Sequence, residues 1–281
     1  MQHLDSIVRR VLPSVPVLSR QRLIMGPLDL VDRIMGRAAG DTKGLPPNRM
    51  RLRVGSGNKL LFNRSTYRSL PIQFWMSTLA TGIVRLDSKI LDVGSGCGRY
   101  AATLRDLGFF GARFEGHYTG IDIDREMVEW CRRSFPEDRF TFKLSSERST
   151  IYNPDGQADS NAPYDLPDDS QDFVFSVSLL THLLERDFVH HLRESFRVLA
   201  PGAATMQTVF CMDHLANTLG GRWTFKHAMG EARVENLKYP EAAVAYTLEW
   251  IERTLAEAGF EQIEVLVGGG HSMIRARKPS V

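Results

Sequence analysis

The chain has 281 residues, of which 43% are hydrophobic and 24% are charged. These values are ordinary for a soluble globular protein and exclude a fibrous or collagen-like chain. The longest apolar stretches, such as residues 173–180, are far shorter than the roughly 20 residues that a membrane-spanning helix needs. Three cysteines without metal-ligand spacing, and an N-terminus without an uninterrupted apolar segment, predict a cytoplasmic protein with reduced thiols.

The charge is distributed unevenly along the chain. Residues 1–70 hold 13 Lys and Arg against four acids, a net charge of +9, whereas the remainder has a net charge of −7. We predict a basic, mainly helical arm over residues 1–70 and a second domain over residues 71–281. The arm either attracts an anionic acceptor or an anionic membrane surface, or packs against the acidic body of its own chain. We expect it to help form an acceptor site and not a cofactor site.

Helix and strand patterns alternate along the second domain. After a helix over residues 70–86, short strands are predicted over residues 89–93, 117–123, 140–144, 172–177, 204–210, 263–267 and 272–276. Helices are expected after the first, second and fourth strands and from Pro240 to Gly259. Residues 145–170 are predicted to be loop, and residues 211–238 a lid-like insertion. This order indicates an α/β fold with a Rossmann-like, doubly wound, mostly parallel seven-stranded sheet and helices on both faces.

A glycine-rich turn, LDVGSGCG, follows the first predicted strand. Gly94, Gly96 and Gly98 permit a tight turn, and the helix that begins there presents unpaired N–H groups to a negative group. The spacing differs from the G-x-G-x-x-G of dinucleotide sites. Asp122 ends the second strand within GIDID, where a carboxylate can accept both hydroxyl groups of a ribose. The sequence thus predicts a nucleoside-binding site.

Four segments between residues 89 and 202 together resemble the class I S-adenosylmethionine-dependent methyltransferases: LDVGSGCG, GIDID, LPDDSQDFVFSVSLLTHL and RVLAPGA. The resemblance implies S-adenosylmethionine as the cofactor, with its methionine half beside the three glycines and its ribose on Asp122. Asp92 would support the glycine turn or bind the cofactor amino group. The other cofactor contacts that it implies are Ser95, Ile123, Ser146 and Ser176.

A narrower resemblance connects LPPNRMRLRVG, IYNPDG and PEAAVAYTLEWIERTLAEAGF to bacterial methyltransferases associated with sugar or polysaccharide modification. Such relatives often have an Asp near the adenine soon after the third strand. Counting back from Tyr152, that position is Ser146, with Glu147 next to it. We predict methyl transfer to a hydroxyl of a small molecule, sugar or glycan precursor.

A hydroxyl acceptor needs a group that removes its proton, and a positioned base contributes about 10²- to 10⁴-fold. His182, just past the fourth strand, is the best-placed candidate; it is either this base or a structural residue in the wall of the site. His214 and His227, in the insertion, are candidates for acceptor contacts. His271 is assigned to a turn, and residues 190–191 to the surface or to packing.

Two other functions stay open. One is a nucleic-acid methyltransferase recruited by the basic arm, although the segment after the fourth strand, SVSL, lacks the Asn/Asp-Pro-Pro-Tyr/Phe pattern of amino-group methylation. The other is a non-catalytic cofactor-binding module that serves a partner. The acids at positions 165, 168 and 169 are interpreted as a solvated loop, so no metal site is predicted.

Overall fold

The computed structural model describes residues 22–38, 45–54, 64–149, 153, 156, 162–217 and 223–280. The first part of the predicted arm and Tyr152 lie outside the described residues. Within the described part of the chain, no helix is both long and apolar enough to cross a membrane.

Three helices precede the sheet: α1 is Arg22–Ala38, α2 is Asn48–Arg53 and α3 is Arg64–Ala80. Helix α3 begins six residues before the predicted start, so Pro71 lies inside it rather than at its entry. A proline leaves the carbonyl four residues earlier without its helical donor. That carbonyl, of Tyr67, instead accepts a 2.8 Å hydrogen bond from Arg99 Nε. A contact from elsewhere in the chain therefore compensates for the proline.

The strands are β1 Lys89–Val93, β2 His117–Asp122, β3 Phe140–Leu144, β4 Gln171–Ser176, β5 Leu199–Cys211, β6 His227–Met229, β7 Ala232–Val234, β8 Val244–Tyr246, β9 Glu261–Leu266 and β10 Ser272–Arg277. The later helices are α4 Arg99–Asp106, α5 Arg125–Ser134, α6 Glu185–Val198 and α7 Leu248–Glu257. Short 3₁₀ helices form at Leu180–His182, Met212–Asn217 and Pro240–Ala242.

The sheet contains ten strands within the described residues, rather than the predicted seven. Strands β3-β2-β1-β4-β5 are parallel, and β10 and β9 add antiparallel neighbours beside β5. These are the seven predicted strands. The extra three, β8-β7-β6, extend from the end of β5, whose Phe210 and Cys211 pair with β8. The order reverses between β1 and β4, which is where such sheets bind ligands.

The helix predicted to begin at Pro240 is wrong in its first half. The segment is a 3₁₀ turn, then β8, and only then α7. All three residues of β8 are buried between β5 and β7, so their apolar spacing serves a strand. The Thr247 side chain accepts the Trp250 N–H at 3.3 Å and caps α7, which sets the true start of the helix.

Apolar side chains cover both faces of the sheet, as predicted. Neighbouring residues of a strand point to opposite faces. Ile90 and Phe173 pack with Trp75 of α3 and the residues of α4 and α5, whereas Leu91 and Val174 pack with α6 and α7. The central strands are thus buried on both sides, and their carboxyl ends are held rigidly at one edge.

The described part of the arm packs against the body of the chain. Arg49 pairs with Asp29 of α1 and with Glu126 of α5, at 2.7 Å for the second. Arg51, which is 1% exposed, pairs with Asp32 at 2.7 Å. These arginines therefore neutralise neighbouring acids. For the described residues, these pairs favour the alternative in which the arm packs against the acidic body of its own chain.

Candidate cofactor and acceptor site

A cavity of about 630 Å³ opens at the carboxyl ends of β1, β2 and β4. Its walls come from the glycine turn, the ends of these strands and the segments at residues 52–54, 145–149, 162–165 and 177–183. Most of the predicted cofactor residues line it: Asp92, Gly94, Ser95, Gly96, Asp122, Ile123 and Ser146. The predicted base, His182, lines the same cavity.

Two predicted residues do not line the cavity. Gly98 begins α4, and a Cβ there would lie 2.8 Å from the Phe135 ring, so this glycine is needed for packing. Ser176 is 1% exposed and lies 3.1 Å from the side-chain oxygen of Gln207, to which its hydroxyl donates. The structure thus places both residues behind the wall of the cavity.

The glycine turn is attached to the end of β2 by backbone hydrogen bonds. The N–H groups of Gly94 and Ser95 both donate to the carbonyl of Ile121, at 2.8 and 3.0 Å. The N–H of Gly96 donates to the Asp122 carboxylate at 2.7 Å. Asp122 and the glycine turn are therefore hydrogen-bonded to each other and form one structural unit.

Gly96 cannot be replaced without conflict. Its φ is +55°, in the left-handed region that side chains disfavour. A Cβ there would also lie 2.4 Å from Cγ1 of Val54, the residue that follows α2. The N-terminal segment thus lies directly over the glycine turn.

The two predicted carboxylates occupy different environments. Asp122 accepts the N–H groups of Gly96 and Asp124, each at 2.7 Å. Burial raises the pKa of Asp122 to about 6, against the opposing effect of these bonds. Asp92 is 2% exposed and accepts the Tyr118 hydroxyl; burial raises the pKa of Asp92 to about 7. A bound cation or a hydroxyl donor would therefore favour the ionised form of either carboxylate.

Three buried side-chain atoms lack a hydrogen-bond partner within the described residues: Arg53 Nε, Ser95 Oγ and Thr181 Oγ1. All three residues line the cavity. An unsatisfied buried polar atom costs about 1–3 kcal/mol. A polar ligand that brings both donors and acceptors would therefore stabilise this cavity.

The far end of the cavity is aromatic. The His182 Nδ1 lies 2.9 Å from the carbonyl oxygen of Glu241, and burial lowers the pKa of His182. His271 faces the same space, and burial, with a smaller contribution from His182, lowers its pKa to about 4. Its ring meets Phe210 edge-on at 4.7 Å, and Trp223 lies 5.5 Å from Phe210. Burial thus favours the neutral form of both imidazoles.

One buried cluster in the wall of the cavity is not predicted from the sequence. His191 is 4% exposed, its Nδ1 lies 2.6 Å from the Tyr164 hydroxyl, and its Nε2 lies 3.5 Å from the Glu147 carboxylate. The signal was the four-residue spacing from Asp187 on α6, which puts both side chains on the cavity side. The candidates in the insertion lie elsewhere. His214 and His227 do not line this cavity, and His214 Nδ1 lies 2.9 Å from the Ser272 hydroxyl.

Comparison with known families indicates which cofactor this site binds. Residues 91–206 match a family described as a methyltransferase domain. This part of the chain is similar to a methyltransferase domain. Its cofactor is S-adenosylmethionine, as the motifs implied. The match includes the glycine turn, Asp122 and His182, but ends before the insertion and begins after the N-terminal helices.

Solved structures with similar folds include methyltransferases. An O-methyltransferase family protein from Burkholderia thailandensis is 16% identical, with 78% of this chain and 59% of that chain covered and a TM-score of 0.53. A protein from Pyrococcus horikoshii is 16% identical, with 75% and 93% covered and a TM-score of 0.51. An S-adenosylmethionine-dependent methyltransferase from Methanosarcina mazei is 19% identical, with 72% and 97% covered and a TM-score of 0.48. At these identities, the similarity to the first two structures shows a shared fold and nothing more.

Proposed function

We propose that the protein transfers the methyl group of S-adenosylmethionine to a hydroxyl of a small molecule, sugar or glycan precursor. The observation that carries the proposal is His182, a histidine held neutral by burial in the same cavity as the glycine turn. An alcohol is a weak nucleophile until its proton is removed, and a neutral imidazole is the usual group for this.

The hydrogen bond to Glu241 selects the tautomer of His182. A carbonyl oxygen can only accept, so the 2.9 Å contact requires a proton on Nδ1. In a neutral imidazole the lone pair is then on Nε2, which is the atom that would take the proton of the acceptor. The 3₁₀ helix at Leu180–His182 holds the proposed base in position, and the carbonyl of Glu241, in the 3₁₀ helix at Pro240–Ala242, determines which nitrogen carries the proton.

The residues of the cavity fit the cofactor. S-adenosylmethionine offers an ammonium, a carboxylate and two ribose hydroxyls, and the chemistry it supplies is an electrophilic methyl group on a sulfonium. We assign the ribose to Asp122, whose carboxylate already organises the turn. Of the two roles predicted for Asp92, the amino group is the better supported, because Asp122 supplies the bond to the turn. Rigid attachment of these groups favours methyl transfer by alignment, which contributes up to about 7–11 kcal/mol.

The aromatic end of the cavity supports an acceptor that contains a ring. Phe210, Trp223 and His271 present flat, uncharged surfaces beside His182. Such surfaces stack on sugar rings and on phenols alike. Because Arg49 and Arg51 are paired with carboxylates, the proposal does not depend on an anionic acceptor.

A methyl-transfer screen tests the proposal. Labelled S-adenosylmethionine is offered with sugars, sugar nucleotides, glycolipids, phenols and oligonucleotides, and the methyl group is located by mass spectrometry. We expect methylated oxygen on a ring-bearing acceptor, and a loss of about 10²- to 10⁴-fold in kcat for His182→Gln. The control is His190→Gln, since His190 does not line the cavity and its Nε2–H donates to the carbonyl oxygen of Ala162 at 3.0 Å.

Three results would contradict the proposal. Methylated nitrogen on an oligonucleotide would favour the nucleic-acid methyltransferase. Normal turnover by His182→Gln would remove the proposed base. Tight cofactor binding without transfer to any acceptor class would favour a non-catalytic partner module.

A further inference from the structure

Arg53 is the last residue of α2, and its side chain is only 3% exposed. It lines the cavity, although it lies 38 positions before the first residue of the methyltransferase domain match at Leu91. A buried cation in a ligand cavity is costly unless it is fully hydrogen-bonded. The hydrogen-bond partners of this guanidinium therefore determine what it can bind.

Two of the five N–H donors of Arg53 have partners among the described residues. One Nη donates to the Asp124 carboxylate at 2.7 Å and the other to the Glu126 carboxylate at 2.5 Å. Both acceptors belong to the start of α5, just after β2. The Nε–H is buried and has no partner within the described residues. One edge of the guanidinium is thus anchored, and the Nε donor is unsatisfied.

The position of Arg53 links this donor to the cofactor turn. Its neighbour Val54 lies over Gly96, at the distance that leaves no room for a Cβ there. The charge of Arg53 also helps to lower the pKa of Asp122 against the larger effect of burial. The guanidinium is therefore beside both the glycine turn and the acid at the end of β2.

S-adenosylmethionine contains a single anionic group, the carboxylate of its amino-acid part. The described acids around the turn, Asp92, Asp122 and Asp124, all repel that group. A guanidinium is the side chain best matched to a carboxylate, because its planar N–H groups bind the two oxygens. Among the buried side-chain atoms of the described residues, Arg53 Nε is thus the unsatisfied cationic donor in this cavity, and the cofactor offers one carboxylate.

We propose that Arg53 binds the amino-acid carboxylate of S-adenosylmethionine through its Nε–H, so that the N-terminal segment completes the cofactor site. The inference depends on the cofactor and is independent of the hydroxyl acceptor proposed above. It replaces the expectation that residues 1–70 serve the acceptor site alone. Because Asp124 and Glu126 hold the other edge, the contact also ties α2 to the cofactor.

The test compares two ligands on the full-length protein by titration calorimetry. S-adenosylhomocysteine has the amino-acid part, whereas 5′-methylthioadenosine shares the adenosine and the thioether but lacks it. We expect Arg53→Gln to weaken binding of S-adenosylhomocysteine by roughly 10- to 100-fold, the scale of a hydrogen bond to a charged group. Binding of 5′-methylthioadenosine should stay within about twofold of wild type.

Arg49→Gln is the matched control. Arg49 pairs with the same Glu126 from the same helix but does not line the cavity. It should change the affinities of both ligands equally or not at all. If Arg53→Gln does not fold, Arg53→Lys replaces it, because it keeps the charge but loses the Nε donor. This variant should also weaken the binding of S-adenosylhomocysteine more than that of 5′-methylthioadenosine, by a smaller factor. Equal losses for both ligands, or an unchanged affinity for S-adenosylhomocysteine, would overturn the proposal.

Discussion

The Asp122 carboxylate accepts the Gly96 N–H at 2.7 Å, across 26 positions of the chain. This bond joins the end of β2 to the middle of the glycine turn that follows β1. An acid in this position has two tasks, since it shapes the turn and presents oxygen atoms to the cavity. Substitutions of Asp122 should therefore separate the two tasks.

Asp122→Asn keeps one acceptor oxygen for the turn but removes the charge, whereas Asp122→Ala removes both. Calorimetry with S-adenosylhomocysteine should show weaker binding for Asn by about 1.5–3 kcal/mol, roughly 10- to 150-fold, and a larger loss for Ala. Circular dichroism should show that both variants remain folded. Affinities equal to wild type in both variants would remove Asp122 from the ribose site.

A second prediction concerns the contact between Gly96 and Val54. Gly96→Ala introduces a Cβ 2.4 Å from Val54 Cγ1 and places it on a residue with φ of +55°. We expect a loss of stability of about 1–2 kcal/mol from the left-handed backbone, with a further loss from the overlap. Binding of S-adenosylhomocysteine should fall sharply, because the turn must move.

The double variant Gly96→Ala/Val54→Ala separates these two causes. Removing the methyl groups of Val54 relieves the overlap but not the backbone strain, so the melting temperature should recover only in part. Such recovery is a coupling between contacting residues. Strictly additive losses in the two single variants would show that α2 does not lie over the turn.

Much of the fold could be predicted from sequence because its strands are buried on both faces. Such strands appear as short apolar runs, and the predicted positions of β1 and β3 match the structure to the residue. The prediction of a helix beginning at Pro240 was wrong for a related reason. The buried VAY triplet has an apolar spacing that also fits a helix, and only its pairing with Phe210 and Cys211 decides for a strand.

The part of the site that lies at the ends of the strands could be predicted from the sequence. The glycine turn and Asp122 are adjacent to strand ends, so their meeting follows from parallel strands. Arg53 and His191 are different, because ion pairs to Asp124 and Glu126, and a bond to Tyr164, bring them to the cavity. No local pattern in the sequence encodes those long-range partners.

The pKa of Asp92, raised to about 7 chiefly by burial, predicts a pH dependence of cofactor binding. A carboxylate that holds an ammonium must be ionised, so affinity for S-adenosylhomocysteine should fall as the pH drops through 7, by up to tenfold per unit. Asp92→Asn should flatten this change. Tyr118→Phe removes a hydrogen bond that lowers the pKa of Asp92, so the fall should begin at a higher pH.

The same group acts in the opposite direction on the stability of the free protein. The pKa of Asp92 in the folded protein lies above the unfolded value of about 3.9. Its contribution to the free energy of unfolding is therefore complete at low pH and is lost as the pH rises through 7. Melting temperatures of wild type and Asp92→Asn without ligand should therefore diverge as the pH rises. A binding curve equally steep in Asp92→Asn would assign the titration to another residue, with Asp122 the next candidate.

The final prediction concerns the rate of methyl transfer to an alcohol. A base must be unprotonated to act, and burial lowers the pKa of His182 below its ordinary value of about 6.5. With saturating S-adenosylmethionine, kcat/KM for the acceptor should be constant above pH 7 and fall only below 6.5. The positive sulfonium lowers the pKa of a nearby imidazole further, so it moves the fall to lower pH.

Acid unfolding must be separated from this titration. A histidine with a lowered folded pKa stabilises the protein above pH 6.5 and loses that contribution as the pH falls, and His271, at about 4, does so as well. Rates should therefore be compared only where the melting temperature remains well above the assay temperature. His182→Gln should abolish the acid limb together with most of the rate. An acid limb of the same midpoint in His182→Gln would show that another group takes the proton, and that His182 shapes the wall of the cavity instead.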